Sequence, residues 1–291
     1  MEIVAALGTI YDAQDLVPIE HAQVSGVSYK NLGDAGLEFL REWAAQGARV
    51  RVPTTLNPAG MDLARWRELG FPPDFAAQQQ AVLDAFTAMG IEATCTCTPY
   101  LVGYAPRPGA HIAWGESSAI SYANSVIGAR TNREGGPGAL AAAIVGRTAR
   151  YGLHLDENRQ PTLLVDVRCS VQSESDWSAL GYLVGQRVAN GVPYLRGLDP
   201  ACVRVCANPI HLKLFGAAAA ASGAIALYYV EGVTPGSKLF PKISNIKSQF
   251  AIESLQAGYA ALNQAATNSV DLVWIGCPHA ARVIEAEIDY P

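Results

Sequence analysis

Asp74-Phe75-Ala76-Ala77-Gln78-Gln79-Gln80-Ala81-Val82-Leu83-Asp84-Ala85-Phe86-Thr87-Ala88-Met89-Gly90-Ile91-Glu92-Ala93-Thr94-Cys95-Thr96-Cys97-Thr98-Pro99 reads as one complete helix-to-strand unit. Asp74 to Met89 is amphipathic, Gly90 suits the left-handed residue that ends a helix, and Ile91 to Cys97 has strand composition. The same logic recurs on both sides. Ala35 to Gln46 is helix-like, Gly47 stops it, and Ala48 to Val52 alternates as a strand closed by Pro53, leaving Thr54 to Gly60 as a loop. Ser117 to Ile127, Pro137 to Val145 and Trp177 to Ala189 are predicted helices, and Pro161 to Val167 a strand. Ala251 to Ala266 is predicted helical, followed by a buried strand over Val270 to Ile275 and then Gly276-Cys277-Pro278-His279. Such alternation is the signature of an α/β fold.

Composition agrees with a globular chain. Half of the 291 residues are hydrophobic and only 16% are charged, so the chain can bury enough apolar surface to offset its ordering entropy. The formal net charge of −5 leaves no basic footprint for a nucleic acid. The one long apolar run, Leu214 to Val230, is mostly alanine and glycine; it reads as a buried helix, a break at Ser222-Gly223 and a strand, not as a membrane span. No secretory signal is visible, so six cysteines imply a reducing, cytoplasmic setting and thiols that are buried, catalytic or metal-bound.

Two of those thiols, Cys97 and Cys277, sit alike, at the carboxyl end of a predicted strand near a proline, where open α/β sheets bind ligands. Thiolates there would select zinc, copper(I) or iron-sulfur centres, the alternative being ordinary buried cysteines. Within Glu116 to Pro137, a helical Ser117, Ser121, Asn124 and Ser125 would share one face, as ligand contacts or as helix-helix hydrogen bonds. Thr131-Asn132-Arg133-Glu134-Gly135-Gly136, with Arg130 just before it, suggests an anion pocket in which guanidinium forks meet the amides of a proline-started helix. His154 beside Asp156 and Glu157 reads as a proton-transfer pair or a solvated loop, and Cys202, Cys206 and His211 as a loop of metal ligands or a short apolar element. No nucleotide-binding loop or Gly-x-Ser-x-Gly elbow occurs.

Several motifs in order carry a specific resemblance. They are Gln23 to Lys30, Gly33 to Glu38, Val52 to Pro58, Thr94 to Tyr100, His111 to Trp114, Glu116 to Pro137, Gly152 to Arg159 and Ile275 to His279. Through them the chain resembles the large, catalytic subunit of the aconitase X family. The resemblance implies aconitase-like three-layer α/β/α units with mixed or parallel sheets. It also implies an iron-dependent hydro-lyase, using an iron-sulfur cluster or iron, that dehydrates a small hydroxycarboxylate or phosphorylated substrate. Mevalonate 5-phosphate is favoured over cis-3-hydroxy-L-proline because Thr131 to Pro137 has the form of archaeal-type members. The alternative is a non-catalytic truncated relative that binds a small anion or a protein partner.

By the same resemblance Cys97 and Cys277 are metal ligands, with Cys95 in a supporting role. His111, Ser117 and Ser118 are catalytic, and Ser28, Lys30, Asn57, Asn124, Ser125, Arg130, Thr131, Asn132 and Arg133 bind substrate. The third ligand is expected on an Asp-Thr-Cys motif past Cys277 that is not visible in this chain, so residues 1–291 read as a catalytic-type region incomplete at both ends, with a subdivision allowed near 160–170. A small swivelling-domain subunit is the expected partner, contributing the base, a serine alkoxide.

Overall fold

The computed structural model describes residues 1–198, 210–240, 246 and 248–264. They form two compact units: Met1–Ala123 with Ile127–Arg159, and Asn124–Val126 with the chain from Gln160 onward.

The first unit is built on a parallel sheet of β2 (Ala22–Val24), β3 (Thr54–Leu56) and β4 (Ala113–Trp114), in the order β3-β2-β4. Ala22 pairs with Thr54 and Ala113, and Gln23 with Thr55 and Trp114. Because side chains alternate along a strand, this register sorts the sheet into two chemically different faces. Val24 and Leu56 join one buried cluster with Leu37 and Leu40 of α2 (Tyr29–Ala45), Val82, Leu83 and Phe86 of α3 (Pro73–Ala88), and Leu140 of α5 (Gly136–Val145). The row Thr55, Gln23 and Trp114 faces the other way, fully buried. Around this frame lie α1 (Glu2–Ile10) and the antiparallel pair β1 (Leu16–Pro18) and β5 (Arg147–Ala149), with α4 (Ser117–Tyr122) following β4.

Three local expectations change. Ala48 to Val52 is not a strand: Val50 donates to the carbonyl of Met89 and Arg51 to that of Ala143, so this segment is tied to helix ends. Pairing starts only after Pro53, which has no N–H to give, and the predicted loop therefore opens with β3. Ile91 to Cys97 touches β3 through a single bridge, Thr55 to Glu92. The Thr94 N–H then turns back onto Glu92, and Cys95 adopts a left-handed φ of 46°, which ends any ladder. The Thr96 N–H still reaches the carbonyl of Leu56, so Cys97 stays beside the end of β3.

The second unit holds a four-stranded parallel sheet in the order β8-β7-β6-β9. Its strands are β6 (Leu163–Val167), β7 (Pro193–Arg196), β8 (Tyr229–Val230) and β9 (Gln249–Ile252). Helix α6 (Glu174–Val188) starts from a Ser173–Asp176 capping box and packs tightly against α7 (Ile210–Gly223). Glycine makes that approach feasible: a Cβ on Gly181 would lie 2.4 Å from the Phe215 carbonyl oxygen, and one on Gly223 1.9 Å from that of Gly185. The alanine-rich run is thus a buried helix that breaks at Gly223 before β8, as its composition implies. No described helix is long and apolar enough to cross a membrane.

At the far end, the predicted helix Ala251 to Ala266 begins as strand. Residues 249–252 pair with β6 from Leu164↔Gln249 to Val167↔Ile252, and only then does α8 (Gln256–Leu262) form. Partnership in the sheet overrides the local helical pattern here. The predicted strand Val270 to Ile275, Cys277, and the Cys202 and Cys206 pair lie outside the described residues. The α/β class holds, with both larger sheets parallel.

Candidate functional site

Parallel strands deliver their carboxyl ends to one edge, and in the first unit that edge collects most of the predicted polar residues. β3 leads into Asn57, β4 into Gly115-Glu116-Ser117-Ser118, and β2 into Ser25. Glu116 is the hub. Asn57 Nδ2 donates to its Oε2 at 2.9 Å, while the Ser117 and Ser118 hydroxyls reach Oε1 at 3.5 and 3.4 Å. Gly115 is required just before it, since a Cβ there would sit 2.3 Å from Ser25 Oγ.

Two loops at this edge are locked by one amide. Buried Gln79 of α3 accepts from the Tyr29 and Gly60 N–H groups at 3.0 Å each and donates to the Val27 carbonyl at 3.0 Å. This fixes Ser28, whose hydroxyl caps α2 by accepting from the Lys30 N–H, next to the loop after Asn57. A Cβ on Gly60 would meet Ser28 Oγ at 2.3 Å, so the two loops touch through glycine.

The polar face of the sheet feeds the same edge. Gln23 Nε2 donates to the Thr96 carbonyl at 3.1 Å, and its Oε1 has no partner; nor have Thr55 Oγ1 and Asn57 Oδ1. Buried acceptors without donors are uncommon and mark places where a ligand or ordered water belongs. Trp114 Nε1 donates to His21 Nδ1 at 2.8 Å, and Tyr100 stacks between Trp114 and Tyr122, with ring centroids 6.4 and 4.2 Å away. Burial pushes the His21 pKa down to about 4, so its ring is neutral at physiological pH.

Cys97 lies at this edge, half-buried and unbridged, as does Cys95, whose thiol pKa is raised by burial. Half-burial at a strand end suits a thiolate ligand. Among the described residues no three His, Cys, Asp or Glu side chains come together as a metal centre; of the two expected ligands Cys97 is described and Cys277 lies outside the described residues.

The arginines separate. Arg130 to Glu134 runs parallel to β4, with Arg130 bridging to His111 and Arg133 to Trp114. Arg133 therefore reaches the carboxyl edge, where it is exposed, whereas Arg130 stays at the amino edge. Between them Thr131 and Asn132 serve the backbone. Thr131 Oγ1 accepts from the Trp114 N–H at 3.2 Å; Asn132 accepts from the Leu153 N–H at 2.8 Å and donates to the Tyr151 carbonyl at 3.1 Å. The single anion pocket expected for Arg130 and Arg133 does not form, because residues three apart in an extended segment point to opposite faces and sit at opposite ends.

At the amino edge lies a cavity of about 470 Å³ lined by His111, His154, Arg130 and Arg150, with Asp156 and Glu157 among its acidic residues. His111 and His154 meet Nδ1 to Nδ1 at 2.9 Å. Arg130 donates to the His154 carbonyl at 3.0 Å and pairs with the Asp156 carboxylate. Burial first, then the positive charges of His111, Arg159 and Arg130, push the His154 pKa down to about 3. His111 is lowered by burial and by Arg130, Arg150 and Arg159, against a raising effect of Asp15.

The predicted serine face also changes phase. After α4 the chain turns as a π-helix over Ala123–Ile127. Asn124 and Ser125 belong to the second unit, where Asn124 Nδ2 donates to the Ala226 carbonyl at 3.0 Å and Ser125 Oγ accepts from the Tyr228 N–H at 2.9 Å. Ser121 stays in the first unit, fully buried, its hydroxyl unpaired. Glu116, Gln79 and Gln23 are the contributors that sequence reasoning passed over. The signal for Glu116 was its place directly before two serines at a strand end; nothing local marks Gln79.

Comparison with known proteins agrees with this architecture. Models of the aconitase X first and second domains match residues 1–157 and 161–267. The chain belongs to the aconitase X family. It is 53% identical to the phosphomevalonate dehydratase large subunit of Methanothermobacter thermautotrophicus, over 97% of this chain and 69% of that protein. Against the Methanocaldococcus jannaschii large subunit of the same name the identity is 48%, over 97% of this chain and 70% of the relative. The cis-3-hydroxy-L-proline dehydratase of Pseudomonas aeruginosa is 36% identical, over 96% of this chain but 48% of that protein. The crystal structure of Thermococcus kodakaraensis aconitase X in its holo form superposes with a TM-score of 0.80 at 50% identity, covering 89% of this chain and 64% of that one. This aconitase X chain thus spans about two thirds of the large subunits it matches.

Proposed function

We propose that the chain is the large-subunit part of a hydro-lyase that dehydrates mevalonate 5-phosphate, working in the cytoplasm with a small-subunit partner. One observation carries the substrate: likeness to phosphomevalonate dehydratase large subunits reaches 53%, against 36% for the cis-3-hydroxy-L-proline dehydratase of Pseudomonas aeruginosa. The geometry supports a reaction site at the carboxyl edge of the β3-β2-β4 sheet, where a carboxylate, hydroxyls, an amide and a thiol meet.

Dehydration needs a proton for the departing hydroxyl and removal of a proton from the neighbouring carbon. Glu116 is the group proposed to carry the first, because Asn57, Ser117 and Ser118 hold both its oxygens in place, and a base on the small-subunit partner is proposed to take the second. Lys30 and Arg133, both exposed near the edge, are proposed to meet the substrate's anionic groups, and Ser28 and Asn57 to orient it. Cys97, with Cys277, is proposed to hold iron or an iron-sulfur cluster, which when bound supplies a Lewis acid for the hydroxyl.

The test is turnover by the full-length protein, purified anaerobically with its small subunit and offered each substrate. Turnover of mevalonate 5-phosphate, with iron that Cys97→Ser removes, is expected; turnover of cis-3-hydroxy-L-proline alone would overturn the substrate assignment.

A further inference from the structure

The cavity at the amino edge lies at the other end of β4 from Glu116, so the carboxyl-edge chemistry leaves it without a role. Its floor is built for a guest. His154 is only 2% exposed, yet its Nε2 has no hydrogen-bond partner, and its Nδ1 is engaged by His111. The backbone carbonyl of His154 aims the Arg130 guanidinium, whose side chain is 23% exposed. Arg150 comes in from the end of β5, held by Asp15 through bonds of 2.5 and 2.9 Å.

We propose that this cavity is a second, oxyanion-binding site, taking a phosphoryl group from inorganic phosphate or from a phosphate monoester. The donors favour that class. Arg130 and Arg159 act on both imidazoles and Arg150 on His111, where Asp15 and Asp156 offset them; Asp12 and Glu157 also line the cavity, so the guanidinium forks, not the net charge, favour an oxyanion. The carboxylate paired with Arg130 belongs to Asp156, whose side chain is 82% exposed, and an exposed ion pair is a weak competitor that a dianion can displace. Guanidinium forks match phosphate oxygens, and the volume of about 470 Å³ suits a small metabolite. A metal cation fits less well, since no three ligating side chains gather among the described residues.

The experiment titrates inorganic phosphate, and in parallel glycerol 3-phosphate, into the full-length protein, following histidine-ring NMR signals and binding heat. Saturable binding that shifts His111 and His154 is expected. Arg150→Gln should weaken it about tenfold, the loss of one charged hydrogen-bonding partner. Asp156→Asn should tighten it several-fold by freeing Arg130, a gain that misfolding cannot mimic. Equal response to both ligands assigns a phosphate monoester site; response to inorganic phosphate alone assigns the free ion. Absence of saturation, shifts confined to His21, or weaker binding in Asp156→Asn would overturn the proposal. None of these readouts depends on turnover, so their failure is distinct from failure of the dehydratase assignment.

Discussion

The two ends of the β3-β2-β4 sheet are made by the same three short strands and carry different chemistry. At the carboxyl edge the groups are an anchored carboxylate, hydroxyls, amides with unsatisfied oxygens, and a thiol. At the amino edge they are guanidiniums, imidazoles and the carboxylates of Asp12, Asp156 and Glu157 around a cavity. The extended run Arg130 to Glu134 links the ends: pairing in parallel with β4, it sends one arginine to each. A motif read as one pocket is therefore divided between the two edges, the first proposed for proton transfer and the second for binding of a charge.

The largest expected effect comes from Glu116→Gln, which keeps the shape and removes the acid–base group. It should lower kcat about a thousandfold, the range of general acid catalysis, with little change in thermal stability. A loss below threefold would break the comparison by removing the chemistry from the carboxyl edge.

Acid should next reveal two buried rings. His154, with its pKa at about 3, and His21, at about 4, are neutral in the folded chain, while unfolded histidine titrates near 6.5. The unfolded state therefore binds more protons below pH 6.5, so stability is complete above that value and falls as pH drops towards 4. About 2 kcal/mol per ring should be lost by pH 5, measurable by chemical denaturation at several pH values. Flat stability from pH 7 to 5 would show both rings to be accessible.

Gln79→Ala tests the lock on the carboxyl edge. It strands the Tyr29 and Gly60 N–H groups and the Val27 carbonyl, so a loss of about 2 kcal/mol is expected in denaturant unfolding. The response of the amino edge to phosphate should not move. The smallest effect is the several-fold tightening of phosphate by Asp156→Asn, which sharpens the contrast by touching the amino edge alone.

Much of this frame is legible in the sequence. Helix α3 and its Gly90 stop, the alanine-rich helix ending at Gly223, and the α/β class follow from periodicity and glycine placement. What was not legible depends on partners. Residues 249–252 have helical company in sequence but a strand neighbour in space, and Thr54 to Leu56 resembles a loop until β2 pairs with it. In the site, Ser28, Asn57, Ser117, Ser118 and Cys97 are brought to one edge, whereas His111 and Arg130 are not. Asn124 and Ser125 go to backbone hydrogen bonds because the π-turn shifts the helix phase, which no spacing rule anticipates.

The most direct measurement is a crystal structure of the assembled enzyme with mevalonate 5-phosphate bound. The substrate's hydroxyl should lie within hydrogen-bonding distance of Glu116, with Asn57 and Ser28 beside it, at the carboxyl edge. Substrate found instead in the His111–His154 cavity, away from Glu116, would contradict the division of labour between the two edges.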